Sequence, residues 1–338
     1  MKIVVTGGLG FIGSHTVVEL QNKGYEVVII DNLSNSDEKV LDGIVKITGI
    51  KPIFENVDLR DKLAVQKIFK THQNLSGIIH FAASKAVNES VTNPLLYYEN
   101  NINALVYVLQ EMQNLPATNF IFSSSCTVYG QATQMPITEN AQLQKASSPY
   151  GNTKQIGEDI ITDVAKVTNT NAIILRYFNP IGAHPSAEIG ELPIGIPQNL
   201  VPFITQTAHG LRAELLVYGN DYPTSDGTCI RDYIHVVDLA KAHVVALERL
   251  VNNKNLEKVE TFNLGTGNGS SVLEVITAFE KISEKKLAYK IVDRRPGDIT
   301  AAFADTKKAN TVLGWKAEST LEQALLSAWN WEKKSRTT

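Results

Sequence analysis

The apolar run Ile3-Val4-Val5 passes through Thr6 straight into Gly7-Gly8-Leu9-Gly10-Phe11-Ile12-Gly13. No other segment narrows the fold as much. A strand that ends on closely spaced glycines and resumes as a helix lets the backbone turn tightly, approach a pyrophosphate and meet its charge with the helix N-terminus. The letters fit G-x-G-x-x-G from Gly8 and G-x-x-G-x-x-G from Gly7, and alone they also describe a plain glycine-rich turn. The next apolar run, 27–30, ends on Asp31. A carboxylate there accepts hydrogen bonds from a ribose diol and repels a 2′-phosphate, so the two features together predict NAD rather than NADP. Asp58, after the third run, has a comparable place for the adenine; its other reading is a solvated strand-end acid.

Further apolar runs at 53–57, 78–81, 120–123 and 173–175 are continuous rather than alternating, which predicts strands covered on both faces of a parallel sheet. Helical patterns occupy 14–23, 62–71, 95–115 and 150–167. The expected fold class is α/β: a Rossmann-type doubly wound parallel sheet with a smaller C-terminal α/β substrate domain, and ligand at the carboxyl ends of the strands. Residues 1–178 are expected to bind the dinucleotide and 179–338 the substrate, with a segment near 233–250 returning to the first part. Pro180, Pro185, Pro193 and Pro197, with Gly182, Gly190 and Gly195, mark 179–201 as a long functional loop.

Composition removes several classes. At 338 residues, 43% hydrophobic and 20% charged, the chain is long and apolar enough to bury an ordinary globular core. Its net charge of −3 provides no basic footprint for nucleic acid or an anionic membrane. The N-terminal run is too short for a signal peptide, and no stretch approaches the ~20 apolar residues that span a bilayer. Cys126 and Cys229 form neither a disulfide framework nor a metal-ligand spacing. The seven histidines are scattered, so no metal is expected, and His15 and His80 are expected to be structural. A cytoplasmic enzyme with a small-molecule substrate is the expectation, with no nucleic-acid or membrane partner.

Chemistry concentrates in Tyr150-Gly151-Asn152-Thr153-Lys154. Ser148 can cap the helix and Pro149 suits its first turn, which places Tyr150 and Lys154 at i, i+4 on one face, beside an apolar stripe of Ile156, Ile160, Val164 and Val167. Spacing alone is equally that of an exposed tyrosine beside a solvated lysine. The companion is Ser125, a hydroxyl at a carboxyl strand end where a cofactor crevice should lie, although a serine there can also satisfy backbone. Turning a tyrosine of pKa about 10 into a base near neutrality takes ~4 kcal/mol. One cation ~6 Å away at an effective dielectric of ~20 supplies roughly 2.8 kcal/mol. Lys154 therefore falls short alone, and a positive nicotinamide is the natural second contribution.

Gly7-x-x-Gly10-x-x-Gly13, Ser125, Tyr150-x-x-x-Lys154 and Arg176-Tyr177-Phe178-Asn179-Pro180 together resemble the extended short-chain dehydrogenase/reductase family. More narrowly, Asp31-Asn32-Leu33, His80-Phe81-Ala82-Ala83, Gly182-Ala183-His184-Pro185, Gly219-Asn220-Asp221-Tyr222-Pro223-Thr224 and Arg231-Asp232-Tyr233-Ile234-His235-Val236 are similar to its UDP-hexose 4-epimerase branch, from Lys2 to about Trp315. The resemblance implies tightly held NAD and reversible inversion at C4 of UDP-galactose and UDP-glucose through a transient 4-keto sugar. Ser125, Tyr150 and Lys154 would be catalytic. Gly7, Gly10, Phe11, Ile12, Gly13, Asp31, Asn32, Leu33, Ser34, Asn35, Ser36, Asp58, Leu59, Phe81, Ala82, Ala83, Ser84, Lys85, Asn100 and Phe178, with the catalytic three, would surround NAD. The UDP-sugar would meet Lys85, Ser125, Tyr150, Asn179, Asn199, Leu200, Leu216, Val217, Tyr218, Arg231, the segment from Arg295 through Pro296 and Gly297 to Asp298, and Ala302. Without the resemblance, Arg294 to Asp298 reads as a charged surface turn.

The same resemblance implies a homodimer through the helices at 95–115 and 150–167, which core packing would explain equally well. Small Ala302 stands where glucose-restricted members carry a bulky tyrosine near the sugar C2, which implies turnover of UDP-N-acetylglucosamine and UDP-N-acetylgalactosamine as well. Nucleotide-sugar dehydratases place Asp-Glu directly after the strand-end hydroxyl; here Cys126 and Thr127 stand there, so no dehydration is expected. A non-enzymatic NAD-sensing module is disfavoured because all three catalytic residues are present.

Overall fold

The computed structural model describes residues 1–115, 119–295 and 298–336. Strands Lys2–Thr6 (β1), Glu26–Asp31 (β2), Ile53–Asn56 (β3), Leu75–His80 (β4), Asn119–Ser125 (β5) and Asn171–Tyr177 (β6) form the sheet expected from the apolar runs. After the short strands Asn179–Ile181 (β7), Leu215–Tyr218 (β8), Ile230–Arg231 (β9) and Tyr233–His235 (β10), the strand Val259–Leu264 (β11) completes it. The order is β11-β6-β5-β4-β1-β2-β3, and every pairing is parallel. Alternate residues feed opposite cores. Ile3, Val5, Val27, Ile29, Ile121 and Ile173 lie in one, while Val4, Val28, Ile30, Phe120 and Ile174 lie in the other. Burial on both faces is why the sequence shows continuous runs.

Helices Phe11–Asn22 (α1), Val40–Thr48 (α2), Lys62–Thr71 (α3), Val87–Thr92 (α4), Pro94–Met112 (α5) and Pro149–Val167 (α6) flank the sheet with Val236–Val251 (α8), which follows Leu200–Ala208 (α7). Helix α1 starts a turn earlier than its pattern suggests, because Gly10 is its N-cap and Gly13 lies inside it. The pattern at 95–115 is preceded by a separate helix, α4, divided from α5 by Asn93 and Pro94. On α6 the buried face runs through Tyr150, Lys154, Gly157, Glu158, Ile161 and Ala165, while Val167 at the end of the neighbouring stripe is 84% exposed.

The remaining chain is built from small sheets. β7 pairs with β10, so the segment expected to be all loop begins as a strand. Ser270–Ser271 (β12) and Ala301–Ala302 (β14) flank β9, and Tyr289–Val292 (β13) pairs with β8. Helices α7, Val272–Ser283 (α9) and Leu321–Ser335 (α10) close a further core around Ile204, Phe279, Leu325 and Trp329. Helix α8 returns to the sheet, where Leu239, Ala242, Leu247 and Leu250 join the core of Ile3 and Val5.

Candidate active site

The strand order reverses between β1 and β4, and the loops leaving them press together there. Gly7 has φ +66°, and a Cβ on it would fall 2.8 Å from the Ala82 amide nitrogen. A Cβ on Gly13 would fall 2.2 Å from the Gly7 carbonyl oxygen. The Gly10 amide donates to that same oxygen at 3.1 Å, and no side chain caps the α1 N-terminus. A cradle that side chains would fill, ending on an uncapped helix start, fits a pyrophosphate over Phe11 and Ile12.

Asp31 ends β2 and is buried. Its Oδ2 accepts the Leu9 amide at 3.0 Å; its Oδ1 accepts the Leu33 amide at 3.0 Å and the Ser36 hydroxyl at 2.8 Å. It thereby joins the glycine turn to the loop through Asn32, Ser34 and Asn35, the last two exposed. Asn32 donates to Asp58 at 3.2 Å, and Arg60 forks onto the same carboxylate, holding it down at about 2. Leu59 points into the core with Val65, so only its backbone can meet a ligand. Beyond β4, Phe81 and Ala82 turn past Ala83; the Ser84 amide donates to Asn101, and the Ser84 hydroxyl accepts from Asn100.

The catalytic candidates converge on the neighbouring strand end. β5 stops at Ser125, in register with Tyr177. Ser148 accepts the Gly151 amide at 3.2 Å, fixing the start of α6. Lys154 Nζ donates to the Ser123 carbonyl at 2.7 Å and lies 5.9 Å from the centre of the Tyr150 ring. The Ser125 hydroxyl faces the Tyr150 phenol. Burial raises the phenol well above its ordinary range, the Tyr177 hydroxyl adds to this, and the Ser125 hydroxyl opposes it. Burial also pushes the Lys154 ammonium down to about 8, against the pull of Glu158. The surroundings of the phenol thus favour its protonated form.

The facing wall is less regular. Phe178 packs with Val128, Tyr129, Ile137 and Ala302 in one apolar cluster, and Asn179 opens β7 beside it. Arg231 Nη1 donates to the Ile230 and Ile299 carbonyls at 2.8 and 2.9 Å, while its Nη2 donates to Asp298 at 3.2 Å. Arg295 stacks 4.4 Å over Tyr218, and Arg294 stacks 4.0 Å over Tyr222 while pairing with Asp221. The segment read locally as a charged turn is therefore clamped on two tyrosines; Pro296 and Gly297 lie outside the described residues. Val217 is core, leaving its backbone available, and Leu216 faces outward. Lys85 and Asn199, which precedes Leu200 at the start of α7, share the Glu191 carboxylate at 3.6 and 2.8 Å.

Sequence reasoning missed the groups behind this surface. Glu158 accepts from Ser124 and is forked by Arg176, whose Nη1 also donates to Tyr129 at 3.0 Å. Asn101, buried inside α5, donates to Thr153 at 3.0 Å and to the Ser84 carbonyl at 3.1 Å, joining the cofactor loop to the catalytic helix. The Ser123 and Tyr177 hydroxyls are hydrogen-bonded beneath Lys154. Glu158, one turn beyond Lys154, and Asn101, beside Asn100 in a helix interior, were available signals. His15 and His80 are buried and held near 3, hence neutral and structural as expected. The described residues include no helix long and apolar enough to cross a membrane.

The profile of a family described as GDP-mannose 4,6 dehydratase matches residues 4–327. A UDP-glucose 4-epimerase of Bacillus subtilis is 50% identical over 333 residues, 98% of this chain and 97% of the relative. A UDP-glucose 4-epimerase from Stenotrophomonas maltophila, solved with NAD and formylated UDP-arabinopyranose, superposes with a TM-score of 0.96 at 46% identity, each chain covered in full (100%). One from Bifidobacterium longum, in complex with NAD+ and UDP, gives 0.94 at 45% identity with 99% of both chains covered.

Proposed function

This chain belongs to the UDP-glucose 4-epimerase family, NAD-dependent isomerases of the extended short-chain dehydrogenase/reductase fold, and we propose that Ser125, Tyr150 and Lys154 carry its inversion at C4 of UDP-galactose and UDP-glucose. The observation that carries the residue assignment is the buried face of α6, which brings Tyr150 and Lys154 to the Ser125 end of β5, two strands along the sheet from the β1 end that carries the glycine cradle. NAD, when bound, supplies a reversible hydride acceptor and a positive ring. Tyr150 takes the proton of the 4-hydroxyl and later gives it back, and Ser125 holds the same oxygen in place. Lys154, anchored on the Ser123 carbonyl, favours the phenolate. Phe178 closes the apolar side, while Arg231 and Arg295 meet the diphosphate. The keto sugar then turns so that its other face is reduced.

Residues 1–178, with the returning α8 and β11 that pack into the same sheet and core, form the NAD side of this proposal, and the rest of 179–338 the UDP-sugar side. The homodimer through α5 and α6, and a cytoplasmic location, are further parts of it; the exposed Leu95 and Val167 at the ends of those helices support the dimer. Dehydration is disfavoured by local chemistry: burial pushes the Cys126 thiol up to about 11, and Thr127 is a neutral hydroxyl, so neither is an acid or base near pH 7. NMR of the protein with UDP-galactose should show UDP-glucose and no 4-keto-6-deoxy product. Tyr150→Phe should keep its NAD and lose roughly 10²–10⁴-fold in kcat. Turnover at the parent rate would remove Tyr150 as the base.

A further inference from the structure

Asp232 follows Arg231 on the wall of the site, yet it faces neither solvent nor a cation. Its side chain is fully buried. Oδ1 accepts from the Thr266 amide at 2.8 Å and the Thr266 hydroxyl at 2.7 Å; Oδ2 accepts from the amides of Gly267 and Ala304, each at 3.1 Å. Its backbone amide donates to the Ala302 carbonyl at 3.0 Å, and its carbonyl accepts the Asn179 amide at 2.9 Å. A Cβ on Gly265 would come within 2.3 Å of Oδ2, so the neighbouring turn leaves room for the carboxylate and nothing larger.

Three of the four side-chain donors are backbone amides that cannot turn away. A carboxylate can accept them all, whereas an amide side chain offers one acceptor oxygen and sets N–H against N–H on its other side. Burial raises this carboxyl, and the bonds from Thr266, Ala304 and Gly267 oppose that. The carboxylate holds Ala304, two residues beyond Ala302 of β14, while the Asp232 backbone holds Ala302 and Asn179 next to Arg231. We propose that Asp232 is a positioning residue for the UDP-sugar, its carboxylate tying the β9–β10 segment to the Ala304 amide just beyond β14 and to the Thr266–Gly267 turn, so that the Ala302 wall stands at a fixed place relative to Arg231.

The proposal rests on the epimerase assignment. With kinetics normalised to NAD released on denaturation, Asp232→Asn should raise KM for UDP-galactose about tenfold or more while kcat stays within about threefold. The ratio of kcat/KM for UDP-N-acetylgalactosamine over UDP-galactose should change too, because Ala302 shifts with its strand. A residue serving stability alone would lower the amount of active protein and leave KM and this ratio as they were; that result overturns the proposal. Should Asp232→Asn not fold, Thr266→Val removes one donor and should raise KM about fivefold; an unchanged KM again overturns it. If the parent protein interconverts no UDP-hexose, the epimerase assignment fails; if it does and the variants keep its KM, only the role of Asp232 fails.

Discussion

The two sides of the site are held by different means. The catalytic floor stands on a strand of seven residues and a helix of 19, whose positions are set by a repeating ladder and by burial on both faces. The sugar-side wall stands on strands of two to four residues, held by single side chains such as Asp232, Arg294 on Tyr222 and Arg295 on Tyr218. On the floor, position and folding are one property. On the wall, whose strands are short, we expect position to change while the fold persists, and recognition of the sugar with it.

The sharpest way to break this contrast is to remove one arginine from each side. Arg176→Met leaves Glu158 buried and unpaired behind Ser125 and should cost about 3–5 kcal/mol of stability. Arg231→Met should cost much less and should appear as a raised KM for UDP-sugars. Denaturant unfolding of both variants decides it, and equal losses would end the distinction. A smaller effect is expected at Ala302, which lies in the apolar cluster with Phe178. We expect the parent to turn over UDP-N-acetylhexosamines and Ala302→Tyr to oppose them by ~1–3 kcal/mol, sparing UDP-galactose. Equal loss on both sugars, or no N-acetylhexosamine turnover in the parent, would remove Ala302 as the gate.

The smallest effect concerns the far edge of the sheet, where Asp58 follows β3 and is clamped by Arg60 much as the wall is clamped. Its folded pKa of about 2 lies below the ordinary 3.8, so its contribution is present above about pH 4 and is lost as pH falls through 2. Its side chain is 32% exposed, which solvent screening makes a modest term. Acid unfolding should show the advantage of the parent over Asp58→Asn shrinking between those pH values. A constant offset down to pH 2 would show that the clamp carries no linked charge.

Legibility in the sequence follows the same division. The runs at 3–5, 27–30 and 120–123 announced their strands because both faces are apolar, and the facing of Tyr150 with Lys154 is legible because a helix brings i and i+4 together, although only the Ser125 strand end marks that face as a site. β11 does not read as part of the sheet, since Glu260 interrupts its apolar run and that carboxylate is paired by Arg249, 11 residues away on α8. Arg295 reads in sequence as solvent-facing charge, because only tertiary structure sets Tyr218 beneath its guanidinium. Asn101 is not distinguished from Asn100 in sequence, because which of two adjacent amides turns inward depends on where α6 packs.

What the sequence alone determined was whatever repeats or is local: strand and helix periods, the glycine turn that no side chain could occupy, the cap at Ser148, and the facing of Tyr150 with Lys154. Tertiary structure decided the charges and the register of the wall. The protonation of Tyr150 is set by desolvation from all sides. The Glu158–Arg176 pair joins a helix to a strand, and Asp232 gathers donors from segments 34 and 72 residues away. Such bonds and burial depend on distances between remote segments, which no local pattern of residues encodes.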